Sequence, residues 1–489
     1  MNRRGFIRFL GAAGAAALCG EGVRSLFAQV SSPGSDGGGG KKVPDGSSAT
    51  GRPNVILCMA DDMGYGDPAY NGHPIIKTPA LDEMARTGVR FDRFYSGAPV
   101  CSPTRGSCLT GRHPYRYGIF FANVGCLPKE EVTLAEVLGS MGYATGHFGK
   151  WHLGTLTKTV KDSNRGGPKG VKHYSPPWDN GFDTCFATEA KVPTYNPMKQ
   201  PGTDKPYGTY YWSGPEKRVT DNLDGDDSRV IMDRVVPFLR QAVDDDKPFF
   251  AVVWFHAPHL PCVAGPEHRK LYADKSEKAQ HYLGCISAMD EQIARLRKEL
   301  RTLGVADNTM LWFCSDNGPE GRTKTPDNGS AGPLRGRKRS LYEGGIRVPG
   351  LLAWPARIKG PVRVSAPCGT EDYFPTVLAA LGYELKPGQT ILPKDGLNIL
   401  PMIEGKQAER PAAMGRQSAG QIALIDNRYK LMRPRGKSEW ELYDLQADVG
   451  EAKDIAGDHP DVVAKMSKAV LEWQASCARS AEGADYGKT

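Results

Sequence analysis

The chain has 489 residues, with 63 Lys and Arg against 55 Asp and Glu, a formal charge of +8, 39% hydrophobic residues and 24% charged ones. A chain of that length buries one large core and a smaller one, so two domains are expected, and the composition is that of an ordinary globular protein. It excludes a disordered or fibrous chain, and no apolar run reaches the length of a membrane span.

In chain order, "MNRRGFIRFLGAAGAAALCG" has a basic start and a short run of small apolar residues, with a small-residue cleavage site near Ala28. Arg3-Arg4 followed by "GFIR" matches a twin-arginine signal. Residues 1–28 are therefore expected to be a signal peptide handed to the twin-arginine export machinery, which implies a bacterial protein that is periplasmic or secreted. The Gly/Ser-rich residues 29–51 are expected to be a flexible linker. The remaining ten cysteines show no zinc spacing.

From residue 52 strands and helices alternate. "NVILCMA" (54–60) is a continuous apolar run, as a strand covered on both faces should be. "TPALDEMARTG" (78–88) predicts a helix with Thr78 as N-cap and Pro79 in its first turn. "TLAEVLGSMG" then "YATGHF", and "SRVIMDRVVPFLRQAV" then "PFFAVVWF", repeat helix-then-strand. A long helix near 276–303 precedes the strand "TMLWFC" (309–314). This alternation predicts an α/β fold around a large, mainly parallel sheet over 52–392. The tail changes character. "QIALIDNRYKLMR" and "SEWELYDL" read as antiparallel strands turning at Asp426-Asn427, with a last helix at 460–475, so a smaller α+β domain is expected over 393–489.

Chemistry-bearing residues gather just past the strands. Asp61 and Asp62 follow "NVILCMA" and Asp316-Asn317 follow "TMLWFC", at the strand ends where open α/β sheets place ligands. Adjacent carboxylates repel unless a cation lies between them, and three carboxylates with an amide suit a hard ion: Ca²⁺ first, Mg²⁺ second. Lys150 and His152 in "GKWHLG" and His256 and His259 in "WFHAPHLP" also sit past strands, where they could hold an oxyanion and move a proton. "LRGRKRSLYEGG" has a basic run but no basic helix or aromatic platform, so it reads as a loop delivering Lys338 to an anion and not as a nucleic-acid site.

With "CSPTRGSCLTG" (101–111) these stretches make an ordered set that resembles the type I sulfatases of the alkaline-phosphatase superfamily. Cys101, Pro103, Arg105 and Leu109-Thr110-Gly111 match the C-x-P-x-R…LTG signature, followed in order by "GKWHLG" and "YEGG". The resemblance implies an alkaline-phosphatase-like sandwich and a sulfuric ester hydrolase similar to bacterial glycan sulfatases. It implies that a maturation enzyme oxidises Cys101 to Cα-formylglycine, whose hydrate supplies the nucleophile. It also implies one calcium ion held by Asp61, Asp62, Cys101, Asp316 and Asn317. Arg105, Lys150 and Lys338 would then meet the sulfate charge, His259 would protonate the leaving oxygen and His152 would serve as base.

Substrate contacts are expected from His113, Trp178, Glu189, Lys191 and His256, the middle three lying in or beside the loop "CFATEAKVPTYNPM". The partners implied are a sulfated glycan and the formylglycine-generating enzyme. Two rival readings are a phosphonate or phosphate ester hydrolase on the same scaffold and a catalytically silent glycan-binding homologue. The second requires loss of Cys101, Lys150, His152, His259 or Lys338, and all five are present.

Overall fold

The computed structural model describes residues 51–321, 329–386, 389–391 and 393–487; the expected signal peptide and all of the linker but Gly51 lie outside them. Eight strands form the large sheet: Asn54–Ala60 (β1), Val89–Phe91 (β2), Ala144–Lys150 (β3), Thr184–Thr188 (β4), Phe249–Trp254 (β5), Thr309–Ser315 (β6), Gly350–Ala353 (β7) and Val362–Val364 (β8). Their order across the sheet is β8-β2-β7-β6-β1-β5-β3-β4, and only β7 runs against the rest.

The strands are apolar on both faces because both faces are covered. Val55, Leu57 and Met59 of β1 enter one core, and Ile56, Cys58 and Ala60 enter the other. β5 divides likewise, with Phe250, Val252 and Trp254 on one side and Phe249, Ala251 and Val253 on the other. Strand periodicity of two thus builds a three-layer sandwich from continuous hydrophobic runs. Helices Pro79–Thr87 (α1), Asp227–Asp244 (α3) and Glu277–Thr302 (α4) cover the second core, and Cys101–Thr110 (α2) lies on the first. α1 departs from expectation in its cap. The Thr78 hydroxyl turns to Asp82, and the Asp290 carboxylate reaches across from α4 to take the N–H groups of Ala80 and Leu81, both at 2.9 Å.

The C-terminal sheet has four antiparallel strands, Met414–Ser418, Gln421–Ile425, Tyr429–Arg433 and Glu441–Asp444, and the helix Pro460–Ala481 (α5) packs Met466 and Val470 on one face. The expected turn at Asp426-Asn427 is present, but the helix runs six residues past its expected end. The other face of this sheet packs Met414, Ala423, Ile425, Met432 and Tyr443 on Tyr95, Leu341 and Ile346. Buried Lys430 reaches Glu343 at 3.0 Å and Glu451 at 2.9 Å, which fastens the sheet to the "YEGG" turn. All ten described cysteines are free thiols. Among the described residues no helix is long and apolar enough to cross a membrane.

One glycine sets the exit of β3. Gly149 has φ +98°, and a Cβ there would lie 2.0 Å from the carbonyl oxygen of Trp254. Gly149→Ala combines a disfavoured φ with overpacking and is expected to destabilise the protein by about 3 kcal/mol, read as a lower urea midpoint.

Candidate active site

The four central strands β6, β1, β5 and β3 are neighbours and parallel, so their C-terminal ends share one edge of the sheet. Each exit delivers polar residues there: Asp61 and Asp62 after β1, Asp316 and Asn317 after β6, His256 and His259 after β5, and Lys150 as the last residue of β3. Cys101 is the first residue of α2, whose N-terminus supplies unpaired N–H groups and the positive end of the helix dipole. Arg105, one turn later, is fully buried. The loop bearing Lys338 closes the site, and its approach depends on the "YEGG" glycines: a Cβ on Gly345 would meet the Ser340 carbonyl at 2.0 Å.

Each carboxylate in the site meets a fixed cation. Lys150 Nζ lies 2.6 Å from Asp61 Oδ2, Lys338 Nζ 2.6 Å from Asp62 Oδ1, and Arg105 Nη2 2.7 Å from Asp316 Oδ2. Arg105 Nη1 also donates to the Lys150 carbonyl at 2.9 Å, so the signature arginine braces two exits at once. The Asp62 N–H donates to Asp316 Oδ1 at 3.1 Å, and Asn317 Nδ2 donates to Asp62 Oδ1 at 2.7 Å. His259 Nδ1 donates to the Leu260 carbonyl, which leaves Nε2 3.5 Å from Asp62.

Burial and charge compete throughout. Burial alone would raise Asp61, but Lys150, His259, Arg105 and Lys338 hold it well below the usual carboxylate range. Asp316 is pushed up to about 7 by burial and by the charge of Asp61. Burial lowers His259 to about 4 and holds His152 well below its ordinary value, so both rings are neutral at pH 7. The Cys101 thiol is pushed up by burial despite Lys150 and Lys338, which makes it a poor thiolate nucleophile.

The donor set fits a hard cation. Oxygens of Asp61 and Asp62 lie with a His259 nitrogen, and oxygens of Asp61 and Asp316 with the Cys101 sulfur, in groups whose atoms are all within 4.8 Å of one another. Asp61 Oδ1 and Asn317 Oδ1 are buried with no hydrogen-bond partner, and such acceptors call for a ligand. Carboxylate and amide oxygens are the ligands of calcium or magnesium, and zinc would favour His and Cys.

The expected substrate residues divide. Lys191 is half-buried and feels Lys150, Lys338, Asp61 and Asp62, which places it on the rim. The other four make contacts within the protein. His256 is fully buried, bonded through Nδ1 to Asp227 at 2.7 Å and through Nε2 to Thr188 at 2.8 Å, and serves as a core strut. His113 is buried edge-on against Trp473 of α5 and caps a turn at Tyr115. Trp178 anchors its loop by packing on the core and donating to Tyr174 at 3.2 Å. Glu189 is buried against Arg165 at 3.1 Å, and its backbone carbonyl takes the His152 N–H at 2.9 Å. Two residues escaped sequence reasoning. Glu320 lies 3.5 Å from Lys338, and its signal was its place four residues after Asp316. Asn123, which sits in no motif, holds His152 Nε2 at 3.0 Å.

Comparison with known proteins adds to this geometry. A family model described as Sulfatase matches residues 53–383. An N-acetylgalactosamine-6-sulfatase of Sus scrofa is 30% identical over 426 residues, covering 83% of this chain and 76% of that protein. Arylsulfatase G of Rattus norvegicus is 32% identical over 435 residues, covering 79% and 76% respectively. The crystal structure of Ps i-CgsB in complex with k-i-k-neocarrahexaose matches with a TM-score of 0.74 at 27% identity, over 87% of this chain and 93% of that one.

Proposed function

The chain belongs to the sulfatase family and is a sulfuric ester hydrolase, and we propose that its substrate is a sulfate monoester carried on a carbohydrate. The observation that carries this reading is the meeting, beside Cys101, of three carboxylates and an amide with Lys150, Lys338 and Arg105 at one edge of the sheet. Carbohydrate as the carrier is supported by the N-acetylgalactosamine-6-sulfatase relative and by the oligosaccharide bound to the matched structure.

We further propose that Cys101 is matured to Cα-formylglycine and that Asp61, Asp62, Asp316 and Asn317 hold calcium. Together these groups would supply a hydroxyl nucleophile of lowered pKa and charge neutralisation for the ester. The chain's own residues do the rest. Asp61, Asp62 and Asp316 are balanced by Lys150, Lys338 and Arg105, so a divalent ion leaves a net charge of about +2 to draw in an anionic ester. Lys150 and Lys338 face the sulfate oxygens, and Arg105 keeps Lys150 and Asp316 in place. His259, with Nδ1 committed to the Leu260 carbonyl, turns Nε2 toward the departing oxygen, and it can donate there only after the incoming anion has drawn a second proton from solvent onto the ring. His152 takes the proton when the site is reset.

A sulfate monoester carries one negative charge and a phosphate monoester up to two, and the described residues show no second metal cluster to offset the extra charge. The matured protein is therefore expected to turn over an aryl sulfate at least about a hundredfold faster, by kcat/KM, than the matching aryl phosphate. Steady-state rates on both esters test this, and a phosphate preference overturns it. A panel of defined sulfated mono- and oligosaccharides then finds the sugar.

A further inference from the structure

Asn123 and His152 form a pair that no motif announces. Both sit in the left-handed region, at φ 62° and 59°, and both belong to loops at the site. Asn123 Oδ1 lies 3.0 Å from His152 Nε2, and Asn164 Nδ2 donates to the same oxygen at 3.3 Å. His152 is 4% exposed, and its Nδ1 is buried with no partner.

We propose that Asn123 is a positioning residue, whose side-chain carbonyl fixes His152 in the Nε2–H tautomer and leaves Nδ1 as the ring's proton acceptor. A carbonyl oxygen only accepts, and a neutral imidazole has one N–H, so the bond to Asn123 decides which nitrogen keeps it. The ring is neutral because it is buried beside Lys150 and Arg105. With the Asn123 oxygen on this side, that one atom accepts from both Asn164 Nδ2 and His152 Nε2.

The pair is held at both ends. The Asn123 N–H reaches Ser102 Oγ at 3.4 Å, next to Cys101. The His152 N–H donates to the Glu189 carbonyl, Arg165 Nε meets Glu189 Oε1 at 3.1 Å, and Arg165 Nη1 donates to the Gly125 carbonyl at 2.6 Å, two residues past Asn123. This circuit gives Glu189 and Arg165 a purpose as the frame that keeps the two loops in register.

The inference rests on the reading of His152 as the base of a sulfatase, and its test separates the two. In the full chain labelled with ¹⁵N-histidine, the His152 signals, assigned by their loss in His152→Gln, are expected to show a protonated Nε2 and an unprotonated Nδ1 at neutral pH. The opposite pattern overturns the inference whether or not the protein turns over any ester. In kinetics on an aryl sulfate, Asn123→Leu is expected to lower kcat about 10- to 100-fold with KM within about twofold, and Asn123→Asp, which still accepts the bond, to recover most of the loss. Equal losses in both variants, or kcat and KM moving together, mark a merely structural residue and overturn it. Were the wild type to hydrolyse no sulfate ester, the functional reading would fall and the spectrum would still decide the tautomer.

Discussion

Cys101→Ala is expected to reduce sulfate-ester turnover to the uncatalysed background, a loss of about 10⁵-fold or more, because it removes the only atom at that position from which a nucleophile can be made. The fold should survive. Cys101 is one small side chain at the first turn of α2, and alanine is the best helix former. The variant should therefore keep its Tm within a small margin while losing turnover. Cys101→Ser is the sharper probe. A serine holds one hydroxyl where a hydrated aldehyde holds two, so a sulfate group accepted there has no neighbouring hydroxyl to expel it. The expected outcome is release of about one equivalent of alcohol per site followed by arrest. Peptide mass spectrometry across residues 98–112 of active protein should find the Cys101 thiol replaced. Full activity with an unmodified thiol would sink the scheme, and the buried, protonated state of that thiol argues against such an outcome.

The polar residues legible in the sequence were those that follow a strand directly. Asp61 and Asp316 each follow an apolar strand and Lys150 ends one, and the parallel arrangement turns adjacency in sequence into adjacency in space. What the sequence hid was where a side chain turns after that exit. His256 and His259 look equivalent in "WFHAPHLP", yet His256 finds Asp227 at the start of α3 and becomes a strut, and His259 faces Asp62. That choice depends on α3, nearly thirty residues upstream, and no local pattern reports it. Glu189 and Trp178 were ambiguous for a related reason. A charged or aromatic residue in a long loop suggests substrate contact, but long loops also need anchors, and these two are anchors. The C-terminal strands were only partly visible. Met414–Ser418 reads "MGRQS", too polar to be recognised alone, and it is a strand because its partner Gln421–Ile425 pairs with it along five residues.

Removing the divalent cation is expected to abolish turnover and to lower the Tm, with calcium restoring both at lower concentration than magnesium. The physical reason is that without the ion the buried acceptors Asp61 Oδ1 and Asn317 Oδ1 are left unsatisfied. An ion that binds only the folded state stabilises it by about 4 kcal/mol at a thousandfold excess over Kd. The size of this effect should depend on pH, with a sign fixed by Asp316. Its folded-state pKa is about 7, above its unfolded value, so the ion-free protein holds a proton there that the unfolded chain has lost. The stability from that proton is fully present below about pH 4 and is lost as pH rises through 7. Bound cation displaces it, so the difference in Tm with and without calcium should widen between pH 5 and pH 7.5. Glu451, Asp226, Asp290 and Glu189 are also raised to about 7 and Asp67 and Asp162 to about 6, but they titrate in both forms and cancel in the difference. Asp316→Asn removes the titrating group, and the gap should then be small at both pH values. A Tm unmoved by chelation at pH 7.5, with turnover intact, would show that these residues balance one another and hold no ion.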